Sequence, residues 1–567
     1  MKSLWHTNDS TTGRLRLTRR HAILIAALTV GAGTLGFLTG SDSDYFYRVK
    51  QSIETFGRVY QEITANYVDQ VDPGEFMRAG IDGMLRTLDP YTVFIGENEG
   101  DELDLVTNGK YGGVGVSIGI RDGAITVLNL IEGYSAAKQG VQIGDRILTI
   151  DGKPTTGLSL EGVRQLVRGA PGTEVRITVE REDEKRPLEF VLLREEIPVR
   201  NVTYSGFVAP GIGLIRLERF SRTAGDDVRG ALKGLEAQQK LRGVILDLRD
   251  NPGGLLDVAV DVVAKFVPES SLVVSTRGRR PDSERRYYSD ETPMEPDVPL
   301  AVLVNRSTAS ASEIVAGAVQ DLDRGVIVGT RTFGKGLVQT IARISETASL
   351  KLTTARYYTP SGRCIQEIDY WHRKDDGSVT TVPDSLRKEF RTRRNRPVWE
   401  AGGIQPDTAV TDTMRNAYLD ELLRKAMFFT YANRFAAIHK TLPDDFTVSD
   451  SLVNDFESYL KEKGFAYEEE GATKVKELRE LAARDRYGKE FAATLDRLDR
   501  IIASEEQHQI NRFREEVRIA LRAEILGRIV GDRARAEATF ASDRQLQTAL
   551  HILQLRSVYD TLLAPRK

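Results

Sequence analysis

Apolar residues at Val49, Ile53, Phe56, Val59, Tyr60 and Ile63 recur every three to four positions, which predicts an amphipathic helix over residues 45–67. A second helix is expected over residues 76–88, after Pro73. Between Tyr111 and about Arg194 the pattern shortens to β-type runs (VGVSI, AITVLNL, RILTI, EVRITVE, LEFVLL) separated by glycine-rich turns, a small and mostly β module. From Ile212 onward strands and helices alternate: IGLIRL, a helix over Ala224–Leu235, GVILDL, a helix from Leu255, LAVLV, a helix from about Ser310, then GVIVG. Alternation of this kind predicts βαβ units and a mainly parallel sheet. Residues 367–401 are polar and poorly periodic, as in a surface excursion. Beyond Thr411 the chain is helical and rich in charge, with Phe513, Val517, Leu521, Ile525 and Ile529 on one face; it reads as a docking or spacer domain.

Residues His21 to Gly40 contain no acidic, Lys or Arg residue and follow Lys2, Arg14, Arg16, Arg19 and Arg20. About 20 such residues match the ~30 Å hydrocarbon core of a bilayer. The basic amino-side flank puts residues 1–20 in the cytoplasm and everything after residue 41 in the periplasm or another extracytoplasmic space, a single-pass membrane protein. A cleaved signal peptide is the alternative, although no clean A-x-A site follows the apolar run. The 567 residues allow about three to five domains. Lys+Arg 79 against Asp+Glu 82 leaves a net charge of −3, so no global positive field exists to hold a nucleic acid. With Cys364 as the only cysteine, no intrachain disulfide, Cys-rich zinc site or iron–sulfur cluster can be built.

The histidines stand at positions 6, 21, 372, 439, 508 and 551, so the whole stretch from 22 to 371 contains none, and a Ser-His-Asp arrangement among the alternating strands and helices there is excluded by inventory. No H-E-x-x-H occurs either, and no metal or cofactor is expected. Three segments carry chemistry of another kind. In Asn305–Ile314 hydroxyls stand where a strand gives way to a helix, next to unpaired backbone N–H groups and the positive end of the helix dipole. Ser307, Thr308, Ser310 and Ser312 compete there, and spacing alone does not choose between them; helix capping would explain any one of them. In Asp247–Gly254 the pair Gly253 and Gly254 lets backbone amides approach a substrate carbonyl. In Thr332–Gln339, Lys335 lies between two glycines, where burial would lower its pKa and make a neutral amine available as a general base. Gln339 could orient it.

Together these segments resemble the carboxyl-terminal processing peptidases, also called tail-specific proteases. YGGVGVSI, GDRILTIDG, LDLRDNPGG, NRSTASASEIVAGA, GTRTFGKGLVQ, YYTPSGRCIQ and GIQPD occur in the family's order between about Tyr45 and Val410. The resemblance implies a Ser/Lys dyad whose members are 25 residues apart, which selects Ser310 and Lys335. It implies Gln339 as support for the lysine, and Ala311 with Gly253 and Gly254 as oxyanion donors. Asp321 matches an acidic position of some relatives. It further implies an α/β multidomain protein: a Clp-protease/crotonase-like peptidase core over 196–410, a mostly β PDZ domain inserted at 101–195, an N-terminal helical region at 45–100 and a helical C-terminal domain at 411–567. In the PDZ domain Gly113, Val114, Gly115 and Val116 look like the loop that captures a free apolar C-terminus, and Arg168 is a candidate relay of its occupancy. The expected partners are protein or peptide substrates with such ends, and the membrane through residues 21–40. Residues 367–402 depart from the short family pattern and, with the tail, inherit no role beyond gating access, building a homo-oligomer or docking an adaptor. A non-catalytic membrane-tethered PDZ scaffold is the rival function; an acyl-thioester enzyme of similar architecture is a third.

Overall fold

A computed structural model describes residues 44–96, 109–121, 123–181, 184–198, 200–372, 378–411, 416–467, 469–507 and 509–565. The chain divides into two units, residues 1–87 and 88–567. In the first, α1 (44–66) is followed by α2 (Pro73–Leu85), which opens on proline with the Asp72 carboxylate accepting from the Glu75 N–H. No helix among the described residues is long and apolar enough to cross a membrane. Even α1, with the length to do so, carries Arg48, Lys50, Glu54, Arg58 and Glu62. The expectation of a single-pass membrane protein with an extracytoplasmic bulk is corrected accordingly; the segment 21–40 that prompted it lies outside the described residues.

The second unit begins with β1 (Val93–Ile95) and a β module. There β2 (Lys110–Gly113) pairs with β9 (Glu195–Pro198), closing the module at its entry and exit. Between them β3 (Val116–Arg121), β4 (Ala124–Leu130), β5 (Arg146–Ile150), β6 (Lys153–Pro154), β7 (Glu174–Glu180) and β8 (Leu188–Leu193) form one antiparallel sheet, order β3-β4-β5-β7-β8, with β3 at an edge. Helices α3 (Ser135–Gln139) and α4 (Leu160–Val167) cover it, and Val163 and Val167 join Ile118, Val127 and Val179 in its core.

Next comes a six-stranded sheet of order β10-β11-β12-β15-β16-β23, built from β10 (Val202–Ala209), β11 (Ile212–Leu217), β12 (Gly243–Asp247), β15 (Leu300–Val304), β16 (Val326–Gly329) and β23 (Thr408–Ala409). All pairs except β10–β11 are parallel, as the alternation predicted. Strands β12, β15 and β16 are buried along their whole length, and successive residues serve opposite faces. Val244, Leu246, Val302 and Val304 pack on α5 (Ala224–Glu236), α6 (Leu256–Ala264) and α7 (Ala311–Asp321). Ile245, Ala301, Leu303, Val326 and Val328 face the other way, onto Leu546, Ala549, Leu550, Ile552 and Leu553. Those residues belong to α16 (Arg544–Gln554), followed by α17 (Arg556–Leu562), whose Tyr559 hydroxyl donates to Arg324 O and accepts from Leu300 N. The end of the expected docking tail is thus one layer of the α/β core.

A second sheet joins β1, β13 (Leu272–Gly278), β14 (Arg285–Tyr288), β17 (Leu337–Arg343) and β18 (Ser349–Tyr358). The excursion that follows holds two short antiparallel pairs, β19 (Ile368–Asp369) with β20 (Thr380–Thr381) and β21 (Glu389–Arg391) with β22 (Pro397–Trp399). It is anchored rather than loose: Arg396, 5% exposed, pairs with Asp323 at 2.6 Å and Asp407 at 2.5 Å. The remaining helices are α8 (Ala417–Arg424), α9 (Met427–Ile438), α10 (Asp450–Glu462), α11 (Glu470–Arg484), α12 (Lys489–Gln507), α13 (Gln509–Arg512), α14 (Arg514–Ile529) and α15 (Asp532–Glu537). Val517, Leu521 and Ile525 of the expected stripe pack with Phe428, Tyr431 and Phe456 in a separate core.

Candidate active site

The four hydroxyls before α7 are in different situations. Thr308 and Ser312 are fully buried, and their hydroxyls donate to Leu248 O at 2.9 Å and Asn251 O at 3.0 Å, fixing the turn. Ser307 is exposed. Ser310, half-buried at the N-cap of α7, has φ 57 and ψ −117, a conformation costly for a residue with a Cβ. The turn is held from within: Ser310 O accepts from Glu313 N, Ile314 N and the Tyr357 hydroxyl, the last at 3.2 Å.

Glu313 organises the other half of the site. Its fully buried carboxylate accepts four hydrogen bonds: from Ser310 N at 2.8 Å, Lys335 N at 2.9 Å, Gly334 N at 2.7 Å and the Thr332 hydroxyl at 2.6 Å. One side chain therefore ties the backbone of Ser310 to that of Lys335. Burial pushes its carboxyl up to about 7, against the pull of these donors. Burial also brings the Lys335 amine down to about 8; the Lys351 charge adds to the fall, and Glu313 and Asp89 oppose it. Among the described residues no hydrogen bond joins Ser310 to the Lys335 amine, which instead lies 4.1 Å from the centroid of the Tyr91 ring.

Opposite Ser310 stands the 247–254 turn. At Gly253, φ is 97 and a Cβ would meet Ala309 O and Ala311 N, each at 2.7 Å, so only glycine permits this approach. The Gly253 N–H donates to Asn251 Oδ1 at 2.8 Å. Gly254 is pressed as tightly on Phe220, with a Cβ landing 2.3 Å from Phe220 O. The Ala311 N–H, at the first position of α7, has no partner within the helix.

Gln339 does not touch the lysine. Its amide donates to the Thr353 hydroxyl at 3.2 Å, which donates to Asp89 Oδ1 at 3.1 Å; the same oxygen accepts from Tyr91 N at 2.9 Å. Gln339 thus reaches Lys335 through Thr353, Asp89 and the Tyr91 ring. Asp321 lies at the far end of α7, buried, paired with Arg363 at 2.8 Å and accepting from Ser361 N at 3.0 Å, so it serves the packing there. In the β module, Gly113 ends β2, Val114 is buried in the core, Gly115 turns against Tyr134 and Val116 opens β3. The Arg168 guanidinium stacks 5.0 Å from the centroid of the Tyr111 ring.

A carboxy-terminal-processing protease of Bartonella bacilliformis is 36% identical over 355 residues, covering 62% of this chain and 81% of the relative. The chain belongs to that family. The family model of peptidase family S41 matches residues 211–370 of the protease, and a PDZ domain model matches residues 126–181. Residues 418–553 match the C-terminal helical domain of a probable PDZ-protease, and 39–99 the N-terminal domain of the activating protease CtpB. A carboxyl-terminal-processing protease of Synechocystis is 38% identical over 294 residues, 51% of this chain and 68% of the relative. Among solved structures, a photosystem II D1 C-terminal processing protease aligns with TM-score 0.34 and 31% identity, over 54% of this chain and 82% of that one. The protein is thus a carboxy-terminal processing serine protease with a PDZ domain, an α/β multidomain fold. Sequence reasoning passed over two residues of the protease's site. Glu313 stands three after Ser310, the spacing of a capping box, and could have been found from it. Tyr91 carried no such signal.

Proposed function

We propose that the protease cuts with a Ser310/Lys335 dyad and selects substrates by a free, apolar C-terminus bound to its PDZ domain. The observation that carries this reading is the single carboxylate of Glu313 holding both Ser310 and Lys335 by their backbones. Ser310 Oγ attacks the scissile carbonyl while the neutral Lys335 amine takes its proton; the amine then activates the water that releases the acyl group. A small swing of Lys335 away from the Tyr91 ring precedes the proton transfer. The Ala311 N–H, with the Gly253/Gly254 turn beside it, supports an oxyanion hole, each donor in such holes being worth about 3 to 4 kcal/mol. Gln339 steadies the lysine through Thr353, Asp89 and Tyr91.

For the PDZ domain, the support is the free edge of β3 next to the Gly113–Val116 loop, where a peptide adds as a strand and its carboxylate meets backbone amides. The stacking of Arg168 on Tyr111 beside that loop supports a role in reporting occupancy; in Arg168→Ala, activation by an added C-terminal peptide is lost while basal hydrolysis stays. The test of the dyad is mass spectrometry of an unfolded protein ending in apolar residues, incubated with wild type, Ser310→Ala and Lys335→Ala. Cleavage by wild type alone is expected. Equal cleavage by all three would place the active site elsewhere.

A further inference from the structure

The 247–254 turn is fixed on its far side by a residue almost 300 positions away in sequence. Arg249 forms a two-pronged pair with Asp247 at the end of β12, through Nε at 2.9 Å and a terminal nitrogen at 2.7 Å. The same guanidinium reaches α16, pairing with Asp543 at 2.7 Å and donating to Gln545 Oε1 at 3.2 Å. Asp543 divides its carboxylate between two tasks. One oxygen caps α16 by accepting from Leu546 N at 3.0 Å, and the other holds Arg249. Gln545 is tied in turn to Val410 O at 2.8 Å. Burial works against the charges of Arg249 and Asp247, and their mutual attraction holds Arg249 well above and Asp247 below the ordinary ranges, so both stay ionised.

From Arg249 the turn runs through Asp250, whose φ of 60 is strained and whose N–H donates to Asn305 Oδ1 at 3.0 Å. It continues to Asn251, which accepts from Gly253 N through its side chain and from Ala309 N through its carbonyl. The backbone that faces Ser310 is thus suspended between the helix that bears the serine and α16.

We infer that Asp543 is a positioning residue for the reaction, holding Arg249 so that the 247–254 turn keeps its distance from Ser310 and Ala311. The inference rests on the dyad reading given above, and it makes the C-terminal helical segment part of the catalytic apparatus. Because Asp247 still holds Arg249 when Asp543 is replaced, the loss is one of alignment and not of a buried partner.

Asp543→Ser separates the two tasks: a serine still caps α16 but is too short to reach Arg249. The expected result is a fall in kcat of about tenfold with KM changed less than twofold, and an equal weakening of inhibition by a peptide boronic acid, which occupies the tetrahedral geometry. The melting temperature stays within a degree or two. Asp543→Asn has one accepting oxygen for two donors: with that oxygen on Leu546 N it still caps α16, but its NH2 then faces the Arg249 guanidinium, so it loses rate as Asp543→Ser does. Wild-type kcat in Asp543→Ser or Asp543→Asn, or a loss of kcat matched by a fall in melting temperature, overturns the inference. Ser310→Ala run alongside separates the two levels: cleavage by that variant defeats the dyad reading, whereas an inactive Ser310→Ala beside a fully active Asp543→Ser defeats only the role of Asp543.

Discussion

Glu313→Gln tests whether one carboxylate aligns the two halves of the site. In the wild type four donors converge on two oxygens, two on each. An amide offers one oxygen and an NH2 group that is itself a donor, so one or two buried N–H groups lose their acceptor in either orientation. With one or two groups orphaned at about 1 to 3 kcal/mol each, the loss is ~1 to 6 kcal/mol. Against it stands a relief: a carboxyl held at about 7 instead of 4.5 is ionised at pH 8 at a cost of roughly 3 kcal/mol, which the neutral amide does not bear. The two terms are of similar size, so global stability is expected to change by about 3 kcal/mol or less. Alignment has no such compensation, because the orphaned groups are those that fix Ser310 and the Lys335 loop. With each 1.4 kcal/mol worth about tenfold, kcat falls by about 10- to 100-fold. The assay pairs steady-state cleavage of a peptide with urea unfolding followed by tryptophan fluorescence. A variant with wild-type kcat, or one whose rate falls only as far as its stability does, refutes the reasoning.

Activity falls as pH drops, first as Lys335 gains a proton through about 8 and then as Glu313 gains one through about 7, which must displace one of its four donors. The acidic limb of log kcat against pH is therefore steeper than one proton, and becomes single in Glu313→Gln; an optimum below pH 6 would contradict a neutral lysine. Tyr91→Leu removes the aromatic face that favours the charged amine while keeping it dry, so the limb moves to lower pH by about half a unit or more, and Tyr91→Phe restores it. A chain ending at Ser542 lacks Leu546, Ala549, Leu550, Ile552 and Leu553, exposing one face of the six-stranded sheet. At roughly 1.5 to 3 kcal/mol for each of the four large side chains the loss is about 6 to 12 kcal/mol, comparable with the whole stability of a domain, and limited proteolysis should degrade the core outright; a protease-resistant core would disprove the layer's importance.

How much of this was legible in the sequence follows from the range of the interactions. GVILDL, LAVLV and GVIVG declared buried parallel strands because both their faces are covered, so every position except Asp247 is apolar or glycine. The choice of Ser310 and Lys335 rested on the 25-residue separation that the family resemblance implies, since the residues themselves left four hydroxyls open. That Thr308 and Ser312 have occupied hydroxyls needed coordinates. The 367–402 segment read as a surface excursion, and its anchoring went unseen since arginines look alike whether solvated or, like Arg396, buried between two aspartates. Gln339 was expected beside the lysine from its spacing and from the family resemblance; its amide donates to Thr353 across the sheet, a contact that depends on strand register and left no sign in the sequence. The pairing of Asp543 with Arg249 left no trace in periodicity.

The layer formed by α16 also sets a schedule. Strand β16 ends at Gly329 and α16 begins at Arg544, more than two hundred residues later. At about 5 to 20 residues per second a ribosome takes roughly 10 to 40 seconds to cover that gap. Throughout it the nascent chain already carries the Ser310 and Lys335 motifs, but one face of its central sheet is bare and Arg249 waits for Asp543. A hydrolase completed only when this late segment docks is silent while it is being made, and ribosome-bound chains arrested before residue 544 should show no cleavage of a reporter peptide that full-length chains, held to the ribosome by a linker added after residue 567, cut.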